Sequence, residues 1–212
     1  MARGTVAFQT TIGETVRVVG IGVHSGERVS LSLHPADPDT GVVFLRTGLP
    51  GGRDVEIKAE WKNVSATDLC TMVGDPRHAS VATIEHLMAA LRALGVDNVV
   101  VEIDGAEVPV MDGSSEKFVE AIDQVGLVRQ AARRRFIKIL KPIRVENGNG
   151  WAELRPYEGS RYEVTIDFAN AVIGRQSIGI DLTADLFRTQ VARARTFGFV
   201  KDLEKLLPMG LC

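Results

Sequence analysis

The segment VATIEHLMAALRALGVDNVVVEID, residues 81–104, decides how the rest of the chain is read. Between them Val81, Ile84, Leu87, Met88, Leu91 and Leu94 recur at helical spacing and fall on one broad face, which predicts a helix over 81–94. After Gly95, NVVVEID reads as a buried strand. A helix running directly into a strand, in a chain whose first third is strand-like, predicts an α+β fold. The helix also carries an acid and a base side by side. Glu85 and His86 lie off the apolar face, among Ala82, Ala89, Ala90 and Ala93, with Arg92 the one obvious surface residue. A solvent face normally bears Lys, Glu and Gln; an alanine face lets backbone or ligand come close.

Upstream, TVRVVGIGVH and ERVSLSLHPA alternate around HSGE, a hairpin signal, and GVVFLRT and DVEIKAEW are two more short strands. Downstream, GAEVPVMDGSSEKFVEAIDQVG turns at MDGSS, with Ser114 as the expected N-cap of a helix over 114–124. ARRR, residues 132–135, reads as a solvated linker. Beyond it FIKILKPIRVENG, GWAELRPYEG, RYEVTIDF and QSIGIDL are strand candidates. TADLFRTQVARARTF reads as a helix capped by Thr183, and KDLEKLL starts another. This order predicts a loose duplication of two-layer α/β sandwich units. The first α+β domain spans 1–131, and 136–212 is an incomplete second copy.

Composition excludes several classes. With 212 residues and 45% hydrophobic side chains, the chain can build a sizeable core. A net charge of −2, from 25 basic and 27 acidic residues, gives no reason to expect a nucleic acid or an anionic membrane as partner. Two cysteines, Cys70 and Cys212, cannot form a disulfide framework or a four-cysteine zinc site. No apolar run approaches the roughly 20 residues that cross a bilayer. MARGTVAFQTTIGE lacks the apolar centre of a signal peptide. These features predict a cytoplasmic, reduced, globular protein.

The Glu85–His86 pair has two readings. In one, each finds its own hydrogen bonds in the interior, as buried polar groups must. In the other, His86 ligates a metal and Glu85 takes a proton from metal-bound water, whose pKa zinc lowers to about 7. The pair alone is less specific than His-Glu-x-x-His, where two ligands lie one turn apart. His24 in the hairpin, His34 at a strand end and His78 in a loop have no ligand spacing. In ARARTFGF, residues 192–199, Arg193 and Arg195 suit a helix C-terminus. Thr196 there is either a packed turn residue or a donor to a developing oxyanion. MDGSS lacks the G-x-S-x-G elbow, and GIGVHSG lies in a hairpin rather than ahead of a helix, so it is no phosphate loop.

Taken in order, GIGVHSG, ATDLCT, TIEHLMAALRALGVDNVVVEIDGAEVPVMDGSS, YEVTIDF and ARARTFGF resemble the UDP-3-O-acyl-N-acetylglucosamine deacetylases, the zinc amidases of lipid A synthesis. The resemblance runs from near residue 8 to the end. It implies a duplicated α+β fold with the active site between layers at the domain junction. It implies Zn²⁺ as cofactor, UDP-3-O-acyl-N-acetylglucosamine as substrate, loss of its N-acetyl group, a cytoplasmic location and a monomer when complete. Carried over position by position, it makes Glu85 the general base, His86 a zinc ligand and Thr196 the residue that polarises the carbonyl. Substrate contacts fall on His24, Leu69, Cys70, Phe168, Phe197, Phe199, Leu203 and Cys212.

Two departures accompany the resemblance. Where the family has a histidine-proline pair after TIDF, this chain has Ala169-Asn170-Ala171. The family's last third, with a His-Lys-x-x-x-Asp segment bearing two further zinc ligands and a later histidine as general acid, has no counterpart. The expectation is a fragment that is inactive by itself, because one imidazole does not hold zinc tightly. Its second copy would expose apolar surface. The alternative is a naturally short, inactive form that binds the UDP-acyl-sugar or the full-length enzyme.

Overall fold

The computed structural model describes residues 7–200. It opens with β1 (Phe8–Ile12) and an antiparallel hairpin of β2 (Val16–Ile21) and β3 (Arg28–Pro35). Next come β4 (Val42–Leu49), β5 (Arg53–Lys58), a 3₁₀ turn at Trp61–Asn63, and the short strands β6 (Val64–Ala66), β7 (Met72–Asp75) and β8 (Ala79–Val81). Helix α1 (Glu85–Leu94), strand β9 (Val99–Ile103), helix α2 (Glu116–Val125) and strand β10 (Leu127–Arg133) complete the series. The fold is mixed α+β. The predicted strands at TVRVVGIGVH, ERVSLSLHPA, GVVFLRT, DVEIKAEW and NVVVEID all form.

Five strands make one sheet in the order β2-β3-β9-β4-β5, antiparallel throughout except where β9 runs parallel to β4. Alternation sorts its two faces, since successive strand side chains point opposite ways. Val29, Leu31 and Leu33 of β3 and Val99, Val101 and Ile103 of β9 are buried. The buried sides of α1 (Leu87, Leu91, Leu94) and α2 (Phe118, Val119, Ile122) supply the other layer of that core. On the opposite face His34 sits between the Thr15 hydroxyl (3.0 Å) and Glu102 (3.1 Å), and Arg17 donates to Ser30. A smaller antiparallel sheet, β6-β7-β8, lies beside β4 and β5.

Helix α1 begins at Glu85, four residues later than the apolar spacing predicts. Val81 belongs to β8, where it pairs with Val73, and Thr83 adopts a left-handed φ of 56°. Sheet pairing and that kink override helical periodicity over 81–84. The Glu85–His86 pair therefore stands in the first turn of α1, not in its middle. The far end follows expectation: Gly95 closes the helix with φ 86°, and its N–H reaches back to Leu91 and Arg92. Helix α2 likewise starts at Glu116, not at 114, and Ser115 is its N-cap position. Ser114 still bonds the helix start, its hydroxyl accepting the Glu116 N–H at 3.1 Å while donating to Asp112 at 2.8 Å.

ARRR is not a free linker. Arg133 ends β10, which pairs with β1, and Arg134 is bound to Asp97 (2.6 Å) and to the Gly95 carbonyl (2.7 Å).

The described chain divides into two compact units, 7–134 with 187–200, and 135–186. The second contains two antiparallel hairpins, β11 (Ile143–Asn147) with β12 (Gly150–Leu154) and β13 (Arg161–Asp167) with β14 (Arg175–Asp181). Of the predicted strands downstream of Arg135, GWAELRPYEG, RYEVTIDF and QSIGIDL form, whereas FIKILKPIRVENG is a strand only over Ile143–Asn147 and irregular over 136–142. Ile143 and Val145 share one face with Leu154, and Tyr162, Val164 and Ile166 share one with Ile178; these apolar faces are exposed. The predicted helix after Thr183 is one short turn, α3 (Ala184–Leu186), continued as a π-helix over Phe187–Val191. Thr183 caps it as expected, its hydroxyl accepting the Leu186 N–H at 3.1 Å. KDLEKLL, Leu203 and Cys212 lie outside the described residues. Among the described residues no helix is long and apolar enough to cross a membrane.

Candidate active site

Glu85 and His86 are both half-buried, at the mouth of α1. One Glu85 oxygen, Oε2, accepts the Thr71 N–H at 3.1 Å, which anchors the carboxylate and sets it beside the segment that carries Leu69 and Cys70. Leu69 has a left-handed φ of 62° and is exposed; Cys70 is a half-buried free thiol. The His86 carbonyl accepts the Ser115 hydroxyl at 2.9 Å. Its imidazole Nδ1 is buried and has no hydrogen-bond partner among the described residues.

The MDGSS turn connects this helix to the ARARTFGF segment. Met111 (φ 55°) and Gly113 (φ 83°) make it sharp. The Gly113 carbonyl accepts the Thr196 N–H at 2.8 Å, and the Ser115 N–H donates to the Ala192 carbonyl at 3.0 Å. Arg193 pairs with Glu116 at 2.6 Å on the surface. Burial pushes the Asp112 carboxyl up; bonds from the Ser114 hydroxyl (2.8 Å) and N–H (3.1 Å), helped by the Arg195 charge, outweigh it and hold the group below its usual range. Thr196 is exposed, and Phe197 meets Phe199 edge to face at 5.7 Å. One loop thus ties together Glu85–His86 and Thr196, which are far apart in sequence.

His24 joins from the β2–β3 turn. A buried carboxylate, Glu107, accepts the N–H groups of His24 (3.1 Å) and Ser25 (2.9 Å) and the hydroxyl of Thr83 (2.8 Å). The His24 Nδ1, like that of His86, is buried without a partner among the described residues. Phe168 belongs to the second unit, where its N–H donates to Gly174.

Neither Glu107 nor Ser115 stood out in the sequence. The available signal for Glu107 was an acid inside the otherwise apolar GAEVPV with no basic neighbour. For Ser115 there was none beyond its place in a turn.

An orphaned, buried imidazole nitrogen is suitable donor chemistry for zinc. One donor is not a site, however. Among the described residues no group of three or more His, Cys, Asp or Glu stands close enough to hold a metal ion. These residues do not by themselves fit a tetrahedral zinc, which needs three or four protein ligands.

Comparison with known proteins adds a separate line. Residues 9–212 match the family model described as UDP-3-O-acyl N-acetylglycosamine deacetylase (LpxC). Proteins named UDP-3-O-acyl-N-acetylglucosamine deacetylase from Brucella ovis, Brucella canis and Brucella suis are each 52% identical over 205 residues. Those matches cover 97% of this chain and 71% of each relative.

Proposed function

The chain belongs to the UDP-3-O-acyl N-acetylglycosamine deacetylase family, an amidase family, and we propose from that premise that it carries the general base and the carbonyl-polarising group for removing the N-acetyl group of UDP-3-O-acyl-N-acetylglucosamine in lipid A synthesis. The observation that supports this most is the MDGSS turn, which holds His86 through Ser115 and Thr196 through Gly113. That arrangement brings an acid–base pair and a hydroxyl donor to one loop, although they are distant in sequence.

Hydrolysis of an amide adds water across the carbon–nitrogen bond. A water attacks the acetyl carbon and surrenders a proton to Glu85. The anchored Oε2 fixes the carboxylate, which leaves the other oxygen to take that proton. Charge grows on the carbonyl oxygen, where the Thr196 hydroxyl donates a hydrogen bond. The carbon–nitrogen bond then breaks as the proton held by Glu85 passes to the nitrogen, and the acetic acid so formed gives up its own proton to the released amine, leaving acetate and an ammonium. The exposed Leu69 and Phe197, with the half-buried Phe199, give apolar surface to an acyl chain. Zinc, the family's expected cofactor, would polarise the carbonyl and the water. Among the described residues the family resemblance assigns His86 to hold it, through the buried Nδ1.

We read the location as cytoplasmic and the complete protein as a monomer. We also read 136–212 as the start of a second copy of the 1–131 domain, supported by the paired hairpins β11–β12 and β13–β14.

The test is made on the complete protein. Glu85→Gln is expected to lower turnover by about 10²–10⁴-fold, the range for a lost general base, while bound zinc measured by mass spectrometry stays level. His86→Ala is expected to lose both. Equal metal loss in the two variants counts against Glu85 as base, and absence of any deacetylation by the parent protein ends the reading.

A further inference from the structure

Glu107 is a carboxylate with 3% exposure and, among the described residues, no ion-pair partner. Burying an ionised group is costly unless hydrogen bonds replace its water. Here they do. Oε1 accepts the Thr83 hydroxyl at 2.8 Å and the His24 N–H at 3.1 Å; Oε2 accepts the Ser25 N–H at 2.9 Å and lies 3.2 Å from the His24 nitrogen. Burial pushes the Glu107 carboxyl up, but these bonds win and its pKa lies below the ordinary value.

The surrounding backbone is shaped to admit this carboxylate. A side chain on Gly22 would start 2.2 Å from the Ser25 hydroxyl and 2.4 Å from Glu107 Oε2, so only glycine fits there. On either side of Glu107 the main chain is bonded to Ala82: Ala82 N–H to the Ala106 carbonyl (2.9 Å) and Val108 N–H to the Ala82 carbonyl (3.0 Å). Glu107 thus grips the residue pair just before α1 from the backbone and from the side chain. Thr83, held in the left-handed region at φ 56°, is two residues ahead of Glu85. Such a conformation persists only where neighbours enforce it.

We infer that Glu107 is a positioning residue for the deacetylation, its carboxylate locking the His24 turn to Thr83 and thereby aiming the Glu85–His86 pair relative to His24. This rests on the function proposed above. Glu107 touches no reacting atom. It acts through the two segments that it joins, and a shift of about 1 Å at a reacting group can cost about 10²-fold in rate.

The experiment uses Glu107→Gln, Thr83→Val and Thr83→Ser in the complete protein. It has two readouts: steady-state deacetylation, and nitrogen–proton correlation spectra of the His24 and His86 imidazoles, which need no turnover. Glutamine keeps the shape but turns an amide NH₂ toward N–H donors. It is expected to lower kcat by about 10–100-fold with KM within about threefold, and to move both imidazole signals. Thr83→Val is expected to lower kcat by about 3–10-fold and to cost little more in the Gln variant, because both changes break one contact. Thr83→Ser keeps the hydroxyl and is expected to restore the parent rate.

A purely structural Glu107 would lower the Tm while leaving kcat and both imidazole signals unmoved at temperatures well below it, and that pattern overturns the inference. If Glu107→Gln fails to fold, the two Thr83 variants decide on the same criteria. If the parent shows no deacetylation, the functional reading fails, and the imidazole signals alone decide whether Glu107 positions His24.

Discussion

Asn98 holds four pieces of chain with one buried side chain and its carbonyl. Its Nδ2 donates to Gln9 (2.8 Å) and Gln130 (2.7 Å), its Oδ1 accepts the Gly41 N–H (2.8 Å), and its carbonyl accepts the Thr11 hydroxyl (2.7 Å). The contacts stitch β1 and β10 to the entrances of β4 and β9. Asn98→Ala would leave Gln130 Oε1 and the Gly41 N–H without this partner in a part-buried site, while Gln9 Oε1 keeps the Asp39 N–H. The expected loss is about 3 kcal/mol, from unsatisfied groups at about 1–3 kcal/mol each, checked by urea unfolding. Nothing in NVVVEID announces this, because a polar residue ahead of a strand is ordinary and burial is a property of the fold. The same holds for Glu107. Glu85 and His86 were legible for the opposite reason: their residue types carry their chemistry, and the segment around them resembles a known family.

The β2–β3 hairpin was readable from its alternation, and the reason for its glycine was not. With its side chain aimed at Ser25 and Glu107, Gly22→Ala forces the Ser25 hydroxyl and the Glu107 carboxylate to give way. The expected cost is about 2 kcal/mol, within the range for overpacking a close contact, measured by thermal or chemical unfolding. Periodicity located α1 but misplaced its start, since apolar spacing at 81 and 84 is the same whether Val81 begins a helix or ends a strand. Only its pairing with Val73 decides, and that partner comes from another strand. Strand β10 was missed for a related reason. LVRQAAR has weak alternation, its arginines suggest a linker, and its partner β1 lies at the other end of the first unit. Local signals gave the elements with local causes; long-range pairing supplied the rest.

Across the whole molecule the two units differ in what protects them. In the first, apolar faces of sheet and helices cover one another. In the second, every residue of β11 and β13 is exposed, including Val145 and Val164. Two-stranded hairpins with open faces are marginal. Backbone amides of β11–β14 are therefore expected to exchange with solvent at least ~100-fold faster than those of α1 and β9 in the described chain, as sparse burial lowers local opening energies. Hydrogen-exchange mass spectrometry checks this, and equal protection in both units would contradict it.

The contacts between ARARTFGF and the MDGSS turn also set an order in time. The Arg193–Glu116 pair spans 77 residues, with the whole second unit between. A ribosome adds about 5–20 residues per second, so the strands and helices up to Arg134 are synthesised several seconds before Thr196 exists. For that interval the nascent chain has most of its core, without Phe187 and Ala192, and lacks its threonine. A chain released early would carry the strands and helices of 7–134 and arrive without that hydroxyl.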